Sequence, residues 1–220
     1  MPREKAELKR ARGVEACRRL EVLYPDAKAS LDFSTPFQCV IAVSLSAQTT
    51  DAAVNKVTPE LFSRWPDPPA LAAADADEVA RVIHSIGFYR SKAKNAVACA
   101  RMLLSDFGGE VPRSVSELQR LPGVGRKTAN IVACECFGVV EGIAVDTHVN
   151  RIAHRLALVG RTTTDPSKVE QRLLALLPRE LWGQVNSRWI LFGRQYCDAR
   201  RPRCRKCPLA DICPGAGNGV

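Results

Sequence analysis

No apolar run in this chain approaches the roughly 18 residues that a membrane-spanning helix needs, so no membrane partner is expected. The opening stretch Met1–Arg12 is charged and lacks an apolar signal core, which leads us to expect a reducing, cytoplasmic setting. The nine cysteines are then not read as a disulfide framework. No segment alternates apolar and polar residues as a half-buried strand does. Low-complexity stretches and a clean linker are missing too, so two domains, if present, should interleave. Aromatic residues are modest at 6%. Acids are outnumbered, 23 against 32 Lys and Arg, for a formal net charge of +9. That balance favours a polyanionic partner, nucleic acid before membrane. By charge alone, a merely soluble basic protein is about equally good a reading.

What is present reads as helices punctuated by Pro, Gly and caps. Hydrophobic residues make up 46% of 220, ample for one large domain or two interlocked ones. Leu8, Ala11, Cys17 and Leu20 suggest an apolar stripe. Thr35-Pro36 opens a helix with Pro at its first position, and Thr58-Pro59 repeats that pattern. Asp75 with Glu78 looks like a capping pair, and Gly87 looks like a stop. Ala93, Ala96, Val97, Ala100, Leu103 and Leu104 keep helical spacing up to Gly108-Gly109. Ser114 and Glu117 form a capping-box pattern. Asp146, Asp165-Pro166 and the segment 181–195 supply further helices. The fold class expected is all-α.

The stretch LPGVGRKTAN, Leu121–Asn130, breaks a helix and starts another. Gly123 and Gly125 allow positive φ, so successive N–H groups of the turn can point outward together. The second helix adds its own free N–H groups, and the whole can hold one phosphate. A plain helix–helix connection explains the turn equally well. Arg126 and Lys127 shift the balance, because a cation in the first turn of a helix is electrostatically misplaced. A reactive amine explains Lys127 better than a solvated charge does. Asp146, in AVDTHVNR, reads first as an N-cap. A cap hydrogen bond would also hold a catalytic carboxylate in place.

Cys197, Cys204, Cys207 and Cys213 lie within seventeen positions and can converge on one metal centre. Only Cys204 and Cys207 form a close pair, which fits the usual zinc arrangement poorly. Four thiolates also suit a [4Fe–4S] cluster, although the spacing is not a ferredoxin pattern. Cysteine count alone leaves the metal open. Cys17, Cys39, Cys99, Cys134 and Cys136 read as buried thiols. Arg194, Arg200, Arg201, Arg203, Arg205 and Lys206 crowd the same C-terminal segment against the single acid Asp198. They fit both a charge offset for thiolates and a phosphate-contacting loop.

LPGVGRKTAN, VDTHVNR and Cys-x6-Cys-x2-Cys-x5-Cys, in that order, closely resemble bacterial endonuclease III, a family of helix-hairpin-helix DNA glycosylases in base excision repair. The resemblance extends through LDFSTPFQCVIAVSLSAQTTD and IGFYRSKAKNA, nearly the whole chain. It implies a six-helix barrel domain, residues 29–139, and an iron–sulfur cluster domain built from residues 1–28 and 140–220. It implies that Lys127 is the nucleophile, Asp146 its carboxylate partner, and that the four cysteines bind [4Fe–4S]. The implied partner of this monomer is nucleoid DNA, double-stranded and carrying oxidised pyrimidines or abasic sites. The damaged base would be flipped into a pocket between the domains.

By the same resemblance Gln48 fills the hole left by the extruded base, and His148 lies near the site. The hairpin Leu121, Gly123, Val124, Gly125 and Arg126 would hold DNA, with Arg201 and Arg203 on phosphates. Phe88 stands where leucine is typical, in a loop that wedges the strand opposite the lesion, and Phe192 stands where some relatives have histidine. Two other readings compete. One is a mismatch adenine glycosylase, disfavoured by Lys127 and by the seven residues left after Cys213. The other is a non-enzymatic iron–sulfur redox sensor that binds DNA.

Overall fold

The computed structural model describes residues 4–28 and 30–216. Among them there are helices and no strands. The chain divides into two compact units, one formed by Met1–Lys28 with Gly142–Val220, the other by Ala29–Glu141. No helix among the described residues is long and apolar enough to cross a membrane.

The continuous unit holds α2 (Pro36–Leu45), α3 (Asp51–Arg64), α4 (Pro68–Ala73), α5 (Ala76–Val82), α6 (Tyr89–Phe107), α7 (Val115–Leu118) and α8 (Arg126–Phe137). α2 is apolar on nearly every side, as a helix at the centre of a core must be. Phe37, Cys39, Val40, Ile41, Ala42, Val43 and Leu45 are all buried. It packs on α3, α6 and α8. The starts are capped as the sequence suggests: the Thr35 hydroxyl accepts from Gln38 N at 3.2 Å. Asp75 Oδ1 accepts from Asp77 N at 2.9 Å, and Asp67, not among the caps expected from the sequence, caps α4, its Oδ1 accepting from Ala70 N at 2.9 Å. Each such cap is worth roughly 1 kcal/mol.

Four readings of this unit need correction. Thr58-Pro59 does not open a helix. Thr50 is the cap, its hydroxyl accepting from Ala53 N at 3.3 Å, and Pro59 sits inside α3. Burial of Val54, Val57, Thr58 and Leu61 carries the helix across the proline. Gly87 stops nothing: α5 has already ended at Val82. Leu104 leaves the buried face of α6 and is exposed. In the turn before α8 only Gly123 has positive φ, +81°. Gly125 is an extended N-cap at φ −82°.

The discontinuous unit holds α1 (Ala6–Leu23), α9 (Thr147–Arg155), α10 (Pro166–Leu176), α11 (Trp182–Gln195) and two 3₁₀ turns, Arg179–Leu181 and Cys204–Lys206. The stripe of α1 that faces the core is Gly13, Ala16, Cys17 and Leu20. Leu8 and Ala11, expected there, are exposed, because the stripe is one turn narrower than their spacing suggests. α1 is held to the distant chain by polar bonds too. Arg12 Nε donates to Leu156 O at 2.7 Å, and Arg19 pairs with Asp211 at 2.6 Å. Trp189 of α11, with Val149, Ile152 and Leu173, fills the centre of this core.

Candidate nucleic-acid interface and cysteine centre

In the continuous unit the turn from α7 to α8 is built from its own bonds. Ser114 caps α7, its Oγ accepting from Glu117 N at 3.3 Å and donating to Glu117 Oε2 at 2.6 Å. Leu121 N donates to Leu118 O at 3.1 Å, and Val124 N to Leu121 O at 3.0 Å. Both side chains are buried. Leu121 and Val124 therefore anchor the turn into the core, and neither presents a side chain outward. The turn's own bonds leave aside the N–H groups of Gly123 and Gly125. Arg126 and Lys127 follow, exposed, in the first turn of α8.

Gly123 is required twice over. Its φ of +81° favours glycine, and a Cβ there would sit 3.1 Å from Asn95 Cβ of α6. Two non-glycine residues of this unit also occupy left-handed backbone, Gln48 at φ +54° and Phe88 at φ +58°. Such conformations cost on the order of 1–3 kcal/mol each. Both side chains are exposed, Phe88 at 67%. A third strained residue, Ala157 at φ +50°, has a local reason: the turn it makes lets Leu158 N donate to Ala153 O at 2.9 Å and closes α9. Phe88 caps α6, its O accepting from Lys92 N at 3.0 Å, and Gln48 lies in the turn that Thr49 N closes on Ser46 O at 3.0 Å, yet both side chains are left at the surface.

In the discontinuous unit Asp146 caps α9. Its Oδ1 accepts from Val149 N at 2.8 Å, and Oδ2 lies 3.1 Å from His148 Nδ1. With the carboxylate ionised, Nδ1–H is the donor, so both oxygens of Asp146 are held. The Asp146 side chain is 12% exposed and that of His148 25%. His148, expected to face DNA, is thus first a partner of Asp146. α11 fixes it from behind: a Cβ on Gly193 would fall 2.7 Å from His148 Cδ2.

Cys197, Cys204, Cys207 and Cys213 all line one cavity of about 30 Å³, walled by Ile152, Phe192 and Leu209. Burial pushes the Cys207 and Cys213 thiols up, and the charges of the neighbouring cysteines add to it. Arg155 of α9 clamps the loop. It donates to Cys197 Sγ at 3.2 Å, to Asp198 O at 2.7 Å and to Ala199 O at 3.0 Å. Asp198 shapes the loop: its Oδ1 accepts from Arg200 N at 2.9 Å and Arg201 N at 3.0 Å. Those two N–H groups, Arg201 first, hold its carboxyl below the usual range. Arg201, Arg203, Arg205 and Lys206 are exposed around this loop.

Of the other cysteines, Cys17, Cys39 and Cys99 are buried, while Cys134 and Cys136 are partly exposed.

A family model described as HhH-GPD superfamily base excision DNA repair protein matches residues 41–179. That span contains Gln48, Phe88, the hairpin, Lys127, Asp146 and His148, and stops before the four cysteines. The chain is 48% identical over 208 residues to endonuclease III of Synechocystis sp., covering 94% of each. It is 47% identical over 191 residues to endonuclease III of Bacillus subtilis, covering 87% of this chain and 86% of that one. The chain belongs to the endonuclease III family. It is also similar to a solved trapped endonuclease III–DNA covalent intermediate, an estranged-adenine complex. That match has a TM-score of 0.89 at 42% identity and covers 95% of this chain and 97% of the other. The endonuclease III likeness therefore takes in both units, including the cysteine loop that the family model leaves out.

Sequence reasoning missed Gly193, Asn95 and Arg155. Each acts on a partner far along the chain, and no local pattern marks it.

Proposed function

We propose that this endonuclease III family member is a bifunctional DNA glycosylase and abasic-site lyase acting on oxidised pyrimidines in duplex DNA. The observation that carries the reading is Lys127: an exposed amine in the first turn of α8, directly after a hairpin whose glycine N–H groups can take a phosphate. Likeness to a covalent protein–DNA intermediate supports it. A Cβ on Gly125 would meet nothing within 4 Å, and its φ does not call for glycine. Close approach of a DNA backbone accounts for the missing side chain. Arg126 and the exposed Arg201 and Arg203 add phosphate contacts.

In this reading the neutral Lys127 Nζ attacks the sugar C1′ as the base departs, and Asp146 stabilises the positive charge that develops on the sugar. Loss of the C1′ oxygen link gives a Schiff base. Removal of a C2′ proton then expels the 3′ phosphate, which cuts the strand. Gln48 fills the space left in the stack by the extruded base, and Phe88 enters the opposite strand. Incubating the protein with an abasic duplex and borohydride tests the reading. A covalent complex is expected, and its absence at saturating DNA would refute a Schiff-base enzyme.

We propose further that the four cysteines hold a [4Fe–4S] cluster. Four thiols meeting in one apolar-walled cavity fit a thiolate-ligated centre. Only Cys204 and Cys207 form a close pair in sequence, which fits the usual zinc arrangement of two close pairs poorly. Bound there, the cluster supplies rigidity to a loop too polar to form a core of its own. The purified protein should be yellow-brown with broad absorbance near ~400 nm. Stoichiometric zinc without iron in anaerobically prepared protein would overturn the assignment.

Gly193→Ala should act at a distance from the chemistry. The added methyl must displace His148, and with it one of the two holds on Asp146. Single-turnover base excision is expected to fall on the order of 10-fold to 10²-fold, as misplacement of a reacting group does. Alanine favours the helix over glycine by roughly 1 kcal/mol, so thermal stability should fall little. A loss of stability that matches the loss of activity would instead mean general damage to α11.

A further inference from the structure

Lys92 lies in the first turns of α6, and the established chemistry of the family reading does not use it. It is 9% exposed, and its Nζ donates to Thr49 Oγ1 at 2.6 Å. Its own backbone N donates to Phe88 O at 3.0 Å, the bond that starts α6 from the left-handed Phe88 cap. Thr49 directly follows the strained Gln48, and its N donates to Ser46 O at 3.0 Å to close that turn. One residue therefore grips both surface segments that carry left-handed non-glycine backbone. One turn further along the same face of α6, Asn95 packs against Gly123 of the hairpin. Residues 88, 92 and 95 follow the spacing of a single helical face, on which Lys92 meets Thr49 and Asn95 meets Gly123.

As a stability device this is a poor choice. Burial pushes the Lys92 amine below its usual value. A hydroxyl acceptor returns less than the desolvation of an ammonium group costs, and an unbranched apolar side chain would pack there without that cost. The charge is better explained by what it holds still.

We propose that Lys92 is a positioning residue that ties the Gln48 turn to the Phe88 cap and so fixes the spacing of the two side chains that enter the duplex. The proposal rests on the roles given to Gln48 and Phe88 above. It names Lys92 as acting through Thr49, not on the sugar.

Lys92→Met keeps the length of the side chain and removes the donor. Thr49→Val removes the acceptor at a partly exposed site where folding is not at stake. Two readouts separate the link from its consequence. Hydrogen exchange of the amides of residues 48–51 should speed up about 10-fold in each variant, the loss expected for one charge-assisted bond. The double variant should be no worse than either single one, because the two changes remove the same interaction. Single-turnover release of an oxidised pyrimidine should slow by a similar factor, and Lys92→Arg should restore most of it. Unchanged exchange in Thr49→Val overturns the link, whether or not Lys92→Met folds. Faster exchange with wild-type base release overturns the positioning role. A borohydride-trapped complex that survives Lys127→Gln but is lost in Lys92→Met would make Lys92 the nucleophile instead. If the wild-type protein releases no base from any lesion duplex, the enzymatic reading fails by itself, and the exchange data still decide whether Lys92 holds the two turns.

Discussion

Lys127→Gln is expected to abolish base release, strand cleavage and borohydride trapping together, while leaving DNA affinity nearly intact. The three activities share one amine. Glutamine is close in length, so the first turn of α8 keeps its shape, but its amide nitrogen is not a nucleophile. The proposed phosphate socket consists of backbone N–H groups of the hairpin, anchored by the buried Leu121 and Val124, and owes nothing to the Lys127 side chain. Stability offers a second signature. A cation near a helix N-terminus costs about 0.3–1 kcal/mol, so the variant should melt no lower than wild type and slightly higher at low salt. A residue that harms the fold and is indispensable to activity is what a catalytic assignment requires. Near wild-type trapping by the folded variant would move the nucleophile elsewhere and reduce the hairpin to a DNA clamp.

The hairpin and most caps were legible in the sequence because their causes are local. Ser114, Asp165 and Asp146 each cap within three residues: Asp165 Oδ1 accepts from Ser167 N at 2.7 Å, for example. The all-α class followed from the same local punctuation. Thr58-Pro59 misled because a Thr-Pro pair looks the same at a start and inside a helix. What distinguishes them is that Thr50 already caps α3 and that Thr58 is buried in the core. The two glycines of the hairpin look alike in the sequence, yet Gly123 has positive φ and Gly125 does not. The supports of the candidate site could not be read at all. Lys92 meets Thr49 across 43 residues, and Gly193 meets His148 through the packing of α11 on α9. No periodicity marks such a contact. The motifs point to the proposed reacting groups, and the packing says what holds them.

Asp146→Asn separates the cap that Asp146 forms from the catalytic role proposed for it. As a cap, asparagine is about as good as aspartate, so the Val149 N–H keeps its acceptor and α9 should lose no more than a few tenths of a kcal/mol. The other face changes more. Oδ2 now accepts from His148 Nδ1; an amide nitrogen turned that way meets Nδ1–H donor to donor. His148 must then shift its proton to the other ring nitrogen or turn away, and Gly193 leaves it little room to turn. Base excision is therefore expected to fall by on the order of 10²–10⁴-fold, the usual range for losing one catalytic group, since the charge that steadies the developing cation is gone. Lyase activity on a preformed abasic site should fall much less, because its open-chain aldehyde condenses with Lys127 without any glycosidic bond to break. Single-turnover rates on a lesion duplex and on an abasic duplex, measured beside the melting temperature, read both effects at once. Equal losses on the two substrates with an unchanged melting temperature would mean that Asp146 acts on a step common to both, such as proton transfer in Schiff-base formation. A melting temperature lowered by many degrees would return Asp146 to the plain reading of a helix cap.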